Sequence, residues 1–105
     1  MNILFICNQN QNRSKKAQEL FGDRFNTQSA GLYNSMPIKE KQISWADVII
    51  VMEETQRNEV AKRFPKQYIQ KRILSLDIPD VYDYHDAKLV SILNSKMKEY
   101  SDVLG

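Results

Sequence analysis

The sequence is poor in the residues that cross-link or interrupt a chain, with one cysteine, three glycines and three prolines among 105 residues. A single cysteine excludes an intramolecular disulfide, and so few glycines and prolines exclude a fibrous or linker-rich chain. The first residues, MNILFICNQN, lack the basic segment and the long apolar segment of a signal peptide. We therefore expect a protein of a reducing, cytoplasmic setting.

Long hydrophobic runs and an excess of one charge are also missing. No apolar run approaches the roughly 20 residues that a membrane span needs, and the formal net charge is only +2, with lysine and arginine dispersed among acids. Neither a membrane nor a nucleic acid is therefore a predicted partner. One histidine and one cysteine cannot make a zinc site, so no metal is predicted. At 42% hydrophobic residues, residues 1–105 suit a single domain.

Strand and helix patterns alternate along the chain. The run ILFI at 3–6 is typical of a strand buried on both faces of a parallel sheet. Further strands are predicted at 25–29, 47–52 and 72–76, and helices at 13–21, 38–45, 55–64 and from an Asp86 cap to Tyr100. This order predicts an α/β fold with a small parallel sheet that helices cover on both faces.

The segment CNQNQNRS at 7–14 follows the first predicted strand and leads into the first predicted helix. In open parallel sheets, ligands bind beyond the carboxyl ends of the strands, at the point where strand order reverses. A loop without apolar side chains can turn its backbone N–H groups inward and, with the helix N-terminus, form an anion site. Asparagine tolerates left-handed backbone angles, so Asn8, Asn10 and Asn12 can replace glycine there. Arg13 adds a planar fork that suits a phosphate dianion.

Cys7 lies at the mouth of this loop, where the same N–H groups, helix dipole and guanidinium favour the nucleophilic thiolate. Ser14 follows the arginine, and its hydroxyl can donate to the sulfur. Attack on a phosphoryl group would give a phosphocysteine, with Arg13 and the backbone donors stabilising the equatorial oxygens. The residues predicted to bind phosphate are Asn8, Gln9, Asn10, Gln11, Asn12, Arg13 and Ser14.

The loop resembles that of the low-molecular-weight protein tyrosine phosphatases, in which cysteine, five residues, arginine and serine follow one another, with asparagine fourth. Cys7, Asn10, Arg13 and Ser14 match this pattern, and SAG at 29–31 and ADVIIVMEETQ at 46–56 extend the resemblance along the chain. With the segment DIPDVY at 77–82, the chain is most similar to a short bacterial branch of the family. The resemblance implies a phosphatase-like α/β fold, with three layers, αβα, around a parallel sheet of about four strands in the order 2-1-3-4. It also implies cofactor-free hydrolysis of phosphotyrosine or another aryl phosphate. The substrate would be a phosphorylated protein or a small aryl phosphate, and inorganic phosphate would be released.

The resemblance also implies a general acid in the loop after the last strand. The candidates are Asp80 and Asp77, and Asp80 is favoured because Tyr82 follows it at the aromatic spacing of the family. Tyr82 is expected to line the cleft. Ser29 matches a family serine that steadies the loop asparagine, so Asn10 is expected to be its partner.

The chain departs from the family at Gln9, where glycine is usual, and at Asn12, where many members have a second cysteine. It is also short between SAG and the central strand, where the family builds one wall of its cleft. A catalytically weak or silent phosphate-binding module therefore remains an alternative. A phosphocysteine carrier of a sugar phosphotransferase system is another, although such loops lack the paired arginine and serine. For Cys7 the simpler interpretation is a buried structural thiol, and for Asp77 and Asp80 it is turn chemistry. The sequence does not indicate an oligomeric state.

Overall fold

The computed structural model describes residues 1–104, and its centre is a sheet of four parallel strands. The strands are β1 (Asn2–Cys7), β2 (Asn26–Gly31), β3 (Val48–Val51) and β4 (Arg72–Ser75), in the order β2-β1-β3-β4. β1 lies inside the sheet, between β2 and β3, and its residues from Ile3 to Cys7 are buried. The predicted order 2-1-3-4 is confirmed.

Helices cover both faces of the sheet. They are α1 (Arg13–Leu20), α2 (Glu40–Trp45), α3 (Glu54–Arg63), α4 (Pro65–Tyr68), α5 (Ala87–Lys98) and α6 (Ser101–Leu104). Alternate residues of β1 point to opposite faces, so Phe5 packs in one core cluster with residues of α1 and α5, and Leu4 in a second with residues of α2 and α3. The predicted three-layer αβα architecture is confirmed. Within residues 1–104, no helix has the length and apolarity to cross a membrane.

The predicted elements differ from the observed ones mainly at their ends. Pro65 ends α3 as predicted, but it also occupies the first position of α4, where a missing N–H group is tolerated. The last predicted helix is split, because α5 ends at Lys98 and α6 begins at Ser101. β2 continues two residues past its predicted end at Ser29, since Gly31 pairs with Cys7 of β1.

The register places four connections at one edge of the sheet. Cys7 pairs with Gly31, Ile6 with Val51, and Val51 with Ser75, so the carboxyl ends of all four strands lie together. β1 has β2 on one side and β3 on the other, which makes its carboxyl end the switch point of the sheet. The CNQNQNRS loop leaves the sheet at this point.

Candidate functional site

The loop between β1 and α1 surrounds the sulfur of Cys7. The backbone N–H of Asn10 donates to Cys7 Sγ at 3.3 Å, and Ser14 Oγ lies 2.9 Å from the same sulfur. Asn10 has a φ of 55°, in the left-handed region that asparagine tolerates. This backbone turn is what brings its N–H group back towards Cys7. The sulfur is thus held by one backbone donor and one hydroxyl.

The three loop asparagines have different roles. Asn10 Oδ1 accepts a hydrogen bond from Ser14 Oγ at 2.7 Å, so its side chain fixes the hydroxyl that faces the sulfur. Asn8 Oδ1 accepts from Gln56 Nε2 at 3.1 Å, and Asn12 Oδ1 accepts from the backbone N–H of Tyr84 at 3.0 Å. Among residues 1–104, Asn10 is the loop asparagine with a positive φ. Asn8 and Asn12 therefore serve through their side chains.

Arg13 is almost fully buried, with 1% of its surface exposed. Its Nη1 donates to the carbonyl of Ile78 at 2.7 Å and lies 3.2 Å from Glu53 Oε2. Its Nε lies 3.7 Å from Asp80 Oδ1, which is beyond a hydrogen bond. Both close contacts use Nη1. The Nε–Nη2 edge is the pair of donors that can hold two oxygens of one anion.

A small cavity of ≈ 40 Å³ joins the sulfur, the guanidinium and an acid. This volume is large enough for more than one water molecule, and every lining residue other than Cys7 is polar or charged. Its lining residues are Cys7, Gln9, Gln11, Asn12, Arg13 and Asp80. A larger cavity of ≈ 260 Å³ lies elsewhere, between Phe21 and Met97, and contains no residue of the loop. We place the candidate site at the smaller cavity because the reactive groups meet there.

The two candidate acids have different surroundings. Asp80 lines the cavity with Cys7, and 56% of its side chain is exposed. Asp77 has a left-handed backbone with a φ of 54°, and its Oδ1 accepts from Ser75 Oγ at 3.1 Å. Asp77 therefore has the turn chemistry that an aspartate in a loop often shows. Asp80, the acid that the sequence favours, is the one beside the thiol.

Two expected contacts are wrong. Ser29 does not bind Asn10, because it pairs with Phe5 in the sheet register, two residues before the strand end, and its hydroxyl donates to Gln18 Oε1 of α1. Tyr82 is not among the described residues that line the small cavity at Cys7. Its partly buried ring packs against the core cluster of β1, α1 and α5. An aromatic ring buries a large apolar surface in such a position.

Two residues of the site were missed by the sequence interpretation. Glu53 contacts Arg13, and Gln56 accepts from the N–H groups of Met52 and Glu53 at 2.8 and 3.0 Å while it donates to Asn8. Gln56 is buried, with 1% of its surface exposed. Their position in the sequence could have identified them. An acid and an amide directly after a central parallel strand lie at the edge of the sheet where ligands bind.

Neither a family model nor a curated protein matches this sequence. Solved structures do match over nearly the whole chain. The YwlE arginine phosphatase from Geobacillus stearothermophilus is 18% identical with a TM-score of 0.66, and the match covers 96% of this chain and 86% of that one.

Two tyrosine phosphatases are also similar. Wzb from Escherichia coli K30, in complex with phosphate, is 18% identical with a TM-score of 0.73, over 99% of this chain and 98% of that one. SP-PTP, a low-molecular-weight protein tyrosine phosphatase from Streptococcus pyogenes, is 16% identical with a TM-score of 0.75, over 99% and 93% of the two chains. The chain thus has the fold of the low-molecular-weight protein tyrosine phosphatases, as the sequence resemblance implies.

Proposed function

We propose that the chain is a cysteine-dependent phosphatase that hydrolyses phosphotyrosine or another aryl phosphate monoester through a phosphocysteine intermediate. One observation carries the proposal: Cys7 Sγ, held by Asn10 N–H and near Ser14 Oγ, shares a small cavity with Arg13 and Asp80. A nucleophile, an anion clamp and an acid are the three groups that this reaction requires.

In the first step, the Cys7 thiolate attacks phosphorus and the bond from phosphorus to the aryl oxygen breaks. Asp80 enters protonated and gives its proton to the departing oxygen, so that a neutral phenol leaves. The Nε–Nη2 edge of Arg13 and the loop N–H groups hold the equatorial oxygens, on which charge builds up. A phosphocysteine and an aspartate anion remain.

In the second step, water attacks the phosphocysteine, and the Asp80 carboxylate takes the proton of that water. The S–P bond breaks and the electron pair returns to sulfur, which releases inorganic phosphate. Ser14 has a single hydroxyl proton, and it lies within reach of both Asn10 Oδ1 and Cys7 Sγ. When the sulfur leaves as a thiolate, this proton turns to the sulfur and stabilises the charge.

The size of the cavity supports recognition of the phosphoryl group alone. At ≈ 40 Å³ it accommodates a small anion and leaves the rest of the substrate outside the loop. Tyr33 and Val81 are exposed, on the connections that leave β2 and β4 at the same edge of the sheet. A flat aryl group leaving from the cavity mouth would emerge at this edge. The similar solved structures include an arginine phosphatase and a tyrosine phosphatase. Phosphoarginine is therefore the substrate to compare with aryl phosphates.

The test is turnover of aryl phosphates by purified wild type and single variants. Wild type is expected to hydrolyse p-nitrophenyl phosphate, and Cys7→Ser is expected to lose turnover. With phenyl phosphate, which has a poorer leaving group, Asp80→Asn should lose about 10²- to 10⁴-fold, the usual contribution of a general acid. Asp77→Asn is the matched control and should keep the wild-type rate.

Each alternative gives a different outcome. Wild type no faster than Cys7→Ser between mildly acidic and neutral pH would contradict the phosphatase. Binding of inorganic phosphate without turnover would indicate the silent binding module, and a stable phosphocysteine that does not hydrolyse would indicate the carrier. A loss confined to Asp77→Asn would reassign the acid, and faster turnover of phosphoarginine would reassign the substrate.

A further inference from the structure

The segment that carries Asp80 is held at two points. At its start, Ile78 N–H donates to the carbonyl of Met52 at 2.8 Å, while the carbonyl of Ile78 accepts from Arg13 Nη1 at 2.7 Å. At its end, Tyr84 N–H donates to Asn12 Oδ1 at 3.0 Å. Asp80 lies between these anchors, so its position over the cavity depends on both of them.

The two anchors come from neighbouring residues of the phosphate loop, Asn12 and Arg13. Asn12 is also the residue that precedes α1, a position where asparagine commonly caps its own helix. Here its side chain makes no such cap and accepts from Tyr84 instead. One helical turn later, Lys16 Nζ lies 4.2 Å from the centre of the Tyr84 ring, within the range of a cation–π contact. The amide of Asn12 is thus committed to a segment 72 residues away.

We propose that Asn12 is a positioning residue of the general acid: by holding Tyr84, it keeps Asp80 within proton-transfer distance of the leaving group. The proposal rests on the phosphatase function above. It follows that Asn12 sets the rate of the first step with poor leaving groups, because only these need a well-placed acid in that step. A residue that merely binds phosphate would affect good and poor leaving groups alike.

The test compares phenyl phosphate with p-nitrophenyl phosphate for wild type, Asn12→Ala, Asp80→Asn and the double variant. Asn12→Ala should lose roughly 5- to 10-fold in kcat/KM, which reports the first step, with phenyl phosphate, the scale of one hydrogen bond. It should lose little kcat/KM with p-nitrophenyl phosphate, because alanine keeps the backbone N–H group of the loop. In the Asp80→Asn background the same change should cost nothing further, because the acid is already absent. Asn58→Ala, at an exposed position of α3, is the matched control.

A rescue variant separates positioning from charge. Asn12→Asp keeps the acceptor oxygen but adds a negative charge at the cavity. It should lower kcat/KM for both substrates by the same factor, so that the ratio of the two kcat/KM values stays at its wild-type value. Equal losses of kcat/KM with both substrates in Asn12→Ala, or losses that add to those of Asp80→Asn, would overturn the proposal.

A second measurement does not depend on activity. Amide hydrogen exchange at residues 80–84 should be faster in Asn12→Ala than in wild type by roughly fivefold, because the variant loses one of the hydrogen bonds that hold this segment. Unchanged exchange there would overturn the positioning role even in an active enzyme. If wild type is inactive and exchange is still faster in the variant, the proposed phosphatase function is wrong. The hydrogen bond between Asn12 and Tyr84 is then only structural, and its proposed role in catalysis is rejected as well.

Discussion

At the scale of single residues, the site depends on how a buried arginine is compensated. Arg13 is 1% exposed, and a buried cation is costly unless it is paired and hydrogen-bonded. Glu53 at 3.2 Å and the Ile78 carbonyl at 2.7 Å supply this pairing on the Nη1 side. Glu53 therefore fixes the orientation of the guanidinium and leaves its other edge for an anion.

Glu53→Ala should lower the free energy of unfolding by about 1–3 kcal/mol, because it removes a charged partner from a buried donor. It should also weaken competitive inhibition by inorganic phosphate, since the guanidinium loses its fixed orientation. Chemical denaturation and inhibition kinetics measure the two effects. The matched control is Glu54→Ala, which removes the exposed partner of Arg57 and should change stability by no more than about 0.5 kcal/mol. Equal effects of the two substitutions would contradict the role of Glu53.

At the scale of elements, Gln56 connects the first turn of α3 to the CNQNQNRS loop by a hydrogen bond to Asn8. This side chain accepts from the two N–H groups at the end of β3 and donates to Asn8. Two central strands, β1 and β3, are thereby connected beyond the point where their pairing ends. The loop is braced from α3, outside its own segment.

Gln56→Ala should destabilise the protein by about 1–3 kcal/mol, because it leaves buried donors and an acceptor without partners. It should also lower kcat/KM with both aryl phosphates to a similar extent, since Asn8 belongs to the CNQNQNRS loop and not to the segment that carries Asp80. Thermal or chemical unfolding and steady-state kinetics measure the change. Gln70→Ala, at an exposed position, is the control. Stability and kcat/KM equal to those of that control would show that the brace has no role.

The elements themselves could largely be predicted because their signals are local. The apolar run of β1 and the β-branched run of β3 identify buried strands in any context. Two features could not be predicted from local signals. Ser29 was paired with the wrong residue because the sheet register, which its own segment does not encode, sets it beside α1. The short α4 and α6 were missed because single-turn helices carry no periodic pattern.

At the scale of the whole molecule, the parallel sheet assembles the site. Cys7 ends β1, Glu53 follows β3 and Asp80 follows β4, and these three strands are neighbours in the sheet. Alternating elements predict a parallel sheet with right-handed connections. The family resemblance implies the strand order, and with it the meeting of the CNQNQNRS loop and the segment that carries Asp80. The contacts that orient these groups could not be predicted, since Asn12 and Tyr84 or Arg13 and Glu53 are joined only by the finished fold.

The most direct test of the account is to trap the intermediate on Cys7. In Asp80→Asn, p-nitrophenyl phosphate should still react in the first step because its leaving group needs little acid, whereas hydrolysis should slow because water lacks its base. Mixing this variant with the substrate, quenching into neutral denaturant and mapping peptides by mass spectrometry should give one phosphoryl group on the peptide that contains Cys7. The double variant Cys7→Ala, Asp80→Asn, which has no nucleophilic side chain at position 7, should give no phosphoryl group on that peptide. Release of p-nitrophenol with no phosphoryl group on Cys7, or with the group on another residue, would contradict the account.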